Sequence, residues 1–123
     1  MSNPTQAELE ILNILWESGE LRVQDVHEKL SSIRTIGYTT TLKSMQVMVQ
    51  KGLLDRRLDG RSHIYFTAIQ ETTTKNKLLS RFVDNTFRGS SSKLVMQLFG
   101  NNSVSKKEVD EIRSFLDNLE DKE

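Results

Sequence analysis

The chain of 123 residues has no cysteine. Disulfides and thiolate metal sites are thereby excluded, which fits a reducing interior. It has only two histidines, His27 and His63, so there is no basis for a His/Cys metal cluster, and no cofactor is expected. Apolar residues never run long enough to span a bilayer. The N-terminus lacks the apolar segment of a signal peptide. A cytoplasmic location without membrane insertion is therefore expected. Low-complexity segments and internal repeats are missing as well. So is any nucleophile–base–orienter set or phosphate loop: Asp25, His27 and Glu28 are close in sequence, but side chains two apart on a helix point to different faces. No enzyme is expected.

There is also no net charge, with 17 basic and 17 acidic side chains. The distribution is uneven. From Met1 to Ile33 two basic residues (Arg22, Lys29) face six acidic ones (Glu8, Glu10, Glu17, Glu20, Asp25, Glu28), giving −4. From Arg34 to His63 six basic residues (Arg34, Lys43, Lys51, Arg56, Arg57, Arg61) face two acidic ones (Asp55, Asp59), giving +4. A basic segment of this kind is the electrostatic footprint of a nucleic-acid binder. Ordinary solvated faces are the competing reading. With 28% charged and 36% hydrophobic residues the chain reads as a soluble, ordered protein.

The basic segment carries the most informative pattern. Thr41, Met45 and Met48 recur at helical spacing, with Leu42 and Val49 beside them. Thr39 is placed to cap that helix and Gly52 to end it. Two short β-runs follow, around Asp59-Gly60, a hairpin signal. Helix then basic hairpin is the shape of a winged helix-turn-helix, in which the helix enters a DNA major groove and the hairpin lies along the backbone. Thr40, Lys43, Ser44, Gln46 and Val47 would point outward, and Thr39 at the helix start joins Thr40, Lys43, Ser44 and Gln46 as a candidate DNA contact. Hydroxyls at a helix start suit close phosphate approach, and Lys43 and Gln46 are long enough to reach base edges. Arg57 and Arg61 flank the turn as backbone-contacting cations. Arg34, before the helix, reads equally as a phosphate contact or a solvated loop residue. His63 reads as a phosphate contact or simply an exposed strand residue. Leu54, Arg56 and Leu58 share a face by strict alternation, an imperfect pattern that invites a bulge or a twist. In the return run Ile64 and Phe66 alternate with His63, Tyr65 and Thr67.

Upstream, Thr5-Gln-Ala-Glu8 is a capping box opening a helix whose Leu9, Leu12 and Trp16, with Ile11 and Leu15, form a core stripe ended by Gly19. Leu21 to Val23 reads as a short extended link or the first strand of a small sheet. Val23 to Ser31 is a second helix with Val26 and Leu30 inward, a poor cap in Arg22, and His27 on its polar side. Downstream, residues 1–70 give way to a purely helical region, 71–123. Leu78, Leu79, Phe82, Val83 and Phe87 form one stripe, stopped by Gly89. Ser90 to Ser92 open a helix with Leu94, Val95, Leu98 and Phe99. Ser105-Lys-Lys-Glu108 opens a third, with Val109, Ile112, Phe115, Leu116 and Leu119. Short helices this apolar cannot bury their faces on one another alone, so packing against a second copy is the economical solution, and folding back on the first domain the alternative. The expected class is mainly α with a small β-hairpin (α+β).

Together these stretches resemble the BlaI/MecI/CopY family of bacterial winged-helix repressors, over nearly the whole chain. Ala7 to Trp16 is similar to the family's opening helix and Val23 to Leu30 to its second. Gly37-Tyr-Thr-Thr-Thr-Leu-Lys43 with Lys51-Gly-Leu-Leu54 resembles its recognition helix and exit, and Asp59-Gly-Arg61 through Tyr65 its wing. The resemblance implies a homodimeric repressor on a near-palindromic operator in double-stranded DNA. It also implies relief by a membrane-bound sensor metalloprotease, which in the family often cuts the penultimate helix between an Asn and a Phe. Here Gln97 and Leu98 stand in that place. The copper-responsive branch has a C-terminal Cys pair, absent here. The family commonly has Arg where this chain has Val47. Without the resemblance, a winged-helix protein–protein interaction module is the alternative.

Overall fold

The computed structural model describes residues 3–121. Its elements run α1 (Gln6–Ser18), α2 (Val23–Ser31), α3 (Tyr38–Gln50), β1 (Leu54–Asp59), β2 (Ser62–Thr67), α4 (Glu71–Phe87), α5 (Ser91–Gly100) and α6 (Lys106–Asp121). They fall into two compact units, Met1–Leu78 and Leu79–Glu123, and the division lies inside α4.

The capping box of α1 is closed in both directions: the Glu8 N–H donates to Thr5 Oγ1 at 3.2 Å and the Thr5 N–H donates to Glu8 Oε1 at 2.9 Å. Ile11, Leu12 and Leu15 are buried, and Leu9 and Trp16 pack beside them. The Trp16 indole N–H donates to the Ile69 carbonyl at 3.3 Å, and the Lys75 ammonium lies 5.5 Å from its ring centre. Helix α2 has Arg22 at its N-cap and no side-chain cap bond, so its stability comes from burying Val23, Val26 and Leu30.

The start of α3 differs from the sequence expectation. Gly37, not Thr39, is the N-cap, with no side-chain bond, and Thr39 lies inside the first turn. The end agrees. Gly52 has φ +80, its N–H reaches Val49 O at 3.1 Å, and the Leu53 N–H reaches Met48 O at 2.9 Å. These two bonds make a Schellman motif, which needs the left-handed conformation glycine adopts freely.

The hairpin is in unbroken antiparallel register from Leu54↔Thr67 to Asp59↔Ser62. The bulge the sequence invited does not form. The imperfect pattern has another cause: Leu54 sits in the core at 2% exposure, whereas Leu58, on the same face but near the tip, has passed the edge of the core and is 67% exposed. The turn residues are Gly60-Arg61, one position beyond Asp59-Gly60, with positive φ at Gly60 alone among them. In β2 the inward residue is Tyr65, at 2% exposure, while Ile64 and Phe66 are half-buried on the opposite face. The link at Leu21 contributes one bridge to the sheet, with the Tyr65 N–H donating to Leu21 O at 2.8 Å.

One core unites the first unit. Leu12, Val26, Leu30, Met45 and Met48 are fully buried, joined by Leu53, Leu54 and Tyr65. Each such side chain contributes roughly 1.5–3 kcal/mol of transfer free energy. In the second unit Ser90 caps α5 by accepting from the Lys93 N–H at 3.2 Å, and Ser105 and Glu108 close a capping box at α6. Neither α5 nor α6 has a buried residue.

Candidate nucleic-acid interface

Helix α3 has one face fixed in the core by Thr41, Met45 and Met48, none of which is exposed at all. The opposite face is determined by that burial. Thr39, Lys43, Gln46 and Gln50 are exposed along it, with Thr40 exposed and Ser44 and Val47 half-buried at its side. A buried hydroxyl on the inner face is satisfied across helices: Thr41 Oγ1 lies 3.0 Å from His27 Nδ1, and Ser31 Oγ lies 3.3 Å from His27 Nε2. The His27 ring also meets Tyr38 edge-on at 5.5 Å. His27, expected simply on the polar side of α2, thus ties α2 to the first turns of α3.

The residues singled out from sequence are not gathered in one depression. Thr39, Thr40, Lys43 and Ser44 line a shallow groove with Thr5, Ala7, Glu8 and Val47, beside the start of α1. Gln46 and His63 line a second groove, between α2, α3 and the hairpin, with Arg22, Gln24, Tyr38 and Arg56. The outer face of α3 is the ridge between them. Arg34 lies away from both and is ion-paired to Glu10 at 2.9 Å. Arg57 and Arg61 are on the hairpin, Arg57 paired to Glu20 at 2.7 Å.

These pairs reveal where much of the segregated charge goes. Three of the six cations from Arg34 to His63 are matched to the acidic N-terminal segment: Arg34 to Glu10, Lys51 to Glu8 at 2.8 Å, and Arg57 to Glu20. Lys43, Arg56 and Arg61 are left outside ion pairs among the described residues. Arg56 is occupied otherwise, donating to the Tyr65 hydroxyl at 3.2 Å with its guanidinium carbon 5.9 Å from the ring centre. Sequence inspection missed Arg22, which sits at the α2 N-cap yet reaches Asp59 at 2.5 Å and Ser62 on the hairpin. An arginine where a capping serine or aspartate belongs was the available signal. Among the described residues, no cluster of His, Asp and Glu could hold a metal ion, and no helix is long and apolar enough to cross a membrane.

Of the residues expected at a dimer contact, Val83 is buried at 7% exposure, and Leu78 and Leu94 are half-buried. Leu79, Phe82, Val95, Leu98, Phe99, Ile112, Phe115, Leu116 and Leu119 are all between 37% and 61% exposed.

Three packed helices, the third with a bare outer face, followed at once by a two-stranded hairpin, define a winged-helix protein. The PcaV transcriptional regulator from Streptomyces coelicolor, solved in complex with its natural ligand, has a similar fold: TM-score 0.55 over 98% of this chain and 77% of that one, at 16% identity. The chain belongs to the penicillinase repressor (BlaI/MecI) family of transcriptional repressors, whose profile matches residues 4–118. It is 24% identical over 112 residues to the methicillin resistance regulatory protein MecI of Mammaliicoccus sciuri, covering 91% of each chain. It is 23% identical over 113 residues to the penicillinase repressor of Bacillus licheniformis, covering 92% of this chain and 88% of that one. The family is one of DNA-binding regulators, not of enzymes.

Proposed function

We propose that the chain binds a near-palindromic operator in double-stranded DNA as a homodimer and represses transcription there. The carrying observation is the bare face of α3, where Thr39, Lys43 and Gln46 are exposed opposite fully buried Thr41, Met45 and Met48, with Thr40 exposed at its side. In this reading Lys43 and Gln46 reach base edges in the major groove, while Thr39, Thr40 and Ser44 contact phosphate or base at close range. Arg57, Arg61 and His63 meet the backbone along the hairpin, and Arg34 flanks the site. The helical tail joins the two subunits through Leu78, Leu79, Phe82, Val83, Leu94, Val95, Leu98, Phe99, Ile112, Phe115, Leu116 and Leu119. A division of labour between residues 1–70 and 71–123 follows.

Regulation by proteolysis forms part of the same proposal. The membrane-bound sensor metalloprotease implied by the family resemblance would cut within α5. Gln97 and Leu98 are exposed there, in a helix that must unwind before its bonds can enter a protease cleft. The enzyme would have to accept a Gln–Leu bond.

Fluorescence anisotropy against the intergenic DNA upstream of the gene tests the DNA reading. Lys43→Ala with Gln46→Ala is expected to abolish specific binding while the circular dichroism stays unchanged. The affinity of the parent should fall steeply with salt, by a log–log slope of about −0.9 per phosphate contact. If the parent instead captures a protein that duplex DNA does not displace, a protein–protein module replaces this reading.

A further inference from the structure

The outer face of the hairpin carries an arrangement that DNA binding alone does not require. Leu21 bridges Tyr65, so the residues on either side of it lie beside β2. From that link Glu20 crosses to Arg57 at 2.7 Å, and Arg22 crosses to Asp59 at 2.5 Å and to Ser62. Ile64 and Phe66 lie half-buried on the same outer face. Of the four arginines around the hairpin, Arg22, Arg56, Arg57 and Arg61, only Arg61 has no side-chain partner among the described residues.

The pairs are well exposed. Glu20 and Arg57 side chains are 50% and 51% accessible, and Asp59 and Arg22 are 55% and 41%. Contacts that wet are weak and exchangeable. A DNA phosphate presents the same planar guanidinium with a fully charged partner whose counterions gain entropy on release. Each carboxylate is therefore a competitor for the cation that the hairpin would otherwise offer to the backbone.

Resting on the DNA-binding reading above, we infer that Glu20 and Asp59 are affinity-setting residues: they hold Arg57 and Arg22 in internal pairs that a DNA backbone must displace. The hairpin is thus a masked cationic surface. Its contribution to binding is the difference between phosphate and carboxylate, not the whole phosphate contact. Such masking limits sequence-independent adhesion, which a surface of free arginines would promote, and leaves discrimination to α3.

The test is a double-mutant cycle on the full-length protein. Glu20→Gln and Arg57→Ala, singly and together, are titrated against a fluorescein-labelled duplex of mixed sequence and against the same duplex in excess unlabelled polyanion. Salt is held at about 0.1 M, where the Debye length is about 10 Å and distant repulsion is damped. Glu20→Gln is expected to tighten binding by roughly twofold to fivefold per hairpin, with Asp59→Asn acting in the same direction through Arg22. In the Arg57→Ala background the Glu20→Gln gain is expected to vanish. A loss of affinity in Glu20→Gln would mean that the pair positions the hairpin and does not mask it, and would overturn the inference. An equal gain in both backgrounds, or no change, would do the same. If the parent binds no duplex even at low salt, the DNA-binding reading itself fails and takes this one with it. Parent binding without the cycle's coupling removes this inference alone.

Discussion

Glu8 joins three segments with one carboxylate. It is 8% exposed, closes the capping box of α1 with Thr5, and pairs through its other oxygen with Lys51 just past the end of α3. Burial by itself pushes the carboxyl pKa up, but the hydrogen bond from Lys51, the Thr5 N–H and the Lys51 charge more than offset it and hold the group below its ordinary 4.5. A folded value below the unfolded one means that the stabilisation is complete above the unfolded pKa and is lost as pH falls through the folded one. Glu8→Gln is accordingly expected to destabilise the protein by about 1–2 kcal/mol at neutral pH. The gap to the parent should close as the pH is taken well below 4.5. Urea unfolding at the two pH values checks this; a gap of the same size at both would show that the carboxylate's charge is not what stabilises.

At the scale of elements, the exit of α3 makes the clearest forecast. Gly52 has φ +80, and a Cβ placed there would meet nothing within 4 Å. Space is available, so only backbone strain opposes a side chain. Gly52→Ala should lower stability by about 1–2 kcal/mol, the cost of the left-handed conformation for an L-residue, as read by chemical denaturation. A larger loss would mean that the following strand had also shifted. This glycine was visible in the sequence, as were the capping boxes at Thr5 and Ser105, because their partners lie three residues apart and composition alone reveals them. That a hairpin follows α3 was legible in Asp59-Gly60, but its register was not, because the turn falls one residue later, at Gly60-Arg61, with Asp59 paired to Ser62. The inward turn of Tyr65 was not, since period-two alternation gives two faces without saying which is buried. Nor were the links from His27 to Thr41, Lys51 to Glu8 or Arg57 to Glu20, which join residues from 14 to 43 positions apart. Helical periodicity put His27 on the polar side of α2; only the packing of α3 against that edge turns it into a bridge. The charge segregation was legible as a count. Its internal neutralisation required knowing which acids the fold sets beside which bases, so half of the apparent footprint proved to be intramolecular.

Over the whole molecule, apolar surface is distributed unequally. The first unit hides most of its large side chains: Leu12, Leu30, Met45 and Met48 have no exposure, and Ile33 and Leu58 stand out singly at 62% and 67%. In α6, by contrast, Phe115, Leu116 and Leu119 stand 61%, 52% and 47% exposed, on the stripe that begins at Val109 and Ile112. Met96, Leu98 and Phe99 of α5 are likewise exposed at 69%, 41% and 37%. A helix builds such a stripe only to cover it, because each large side chain returned to water forgoes roughly 1.5–3 kcal/mol, and contiguous patches of this kind mark association surfaces. The proposed homodimer is the cover that needs no further component. In the proposed dimer Phe115→Asp would place in the covered face a charge with neither a partner nor water. Sedimentation velocity at micromolar concentration should then show the variant as a single subunit and the parent as two, with the helical content of the variant largely kept and its DNA affinity greatly reduced through loss of the second half-site contact. A parent that sediments as one subunit would remove the dimer. A Phe115→Asp protein that stays a dimer but melts at lower temperature would show the stripe to be covered within each chain, and the subunits would have to join elsewhere.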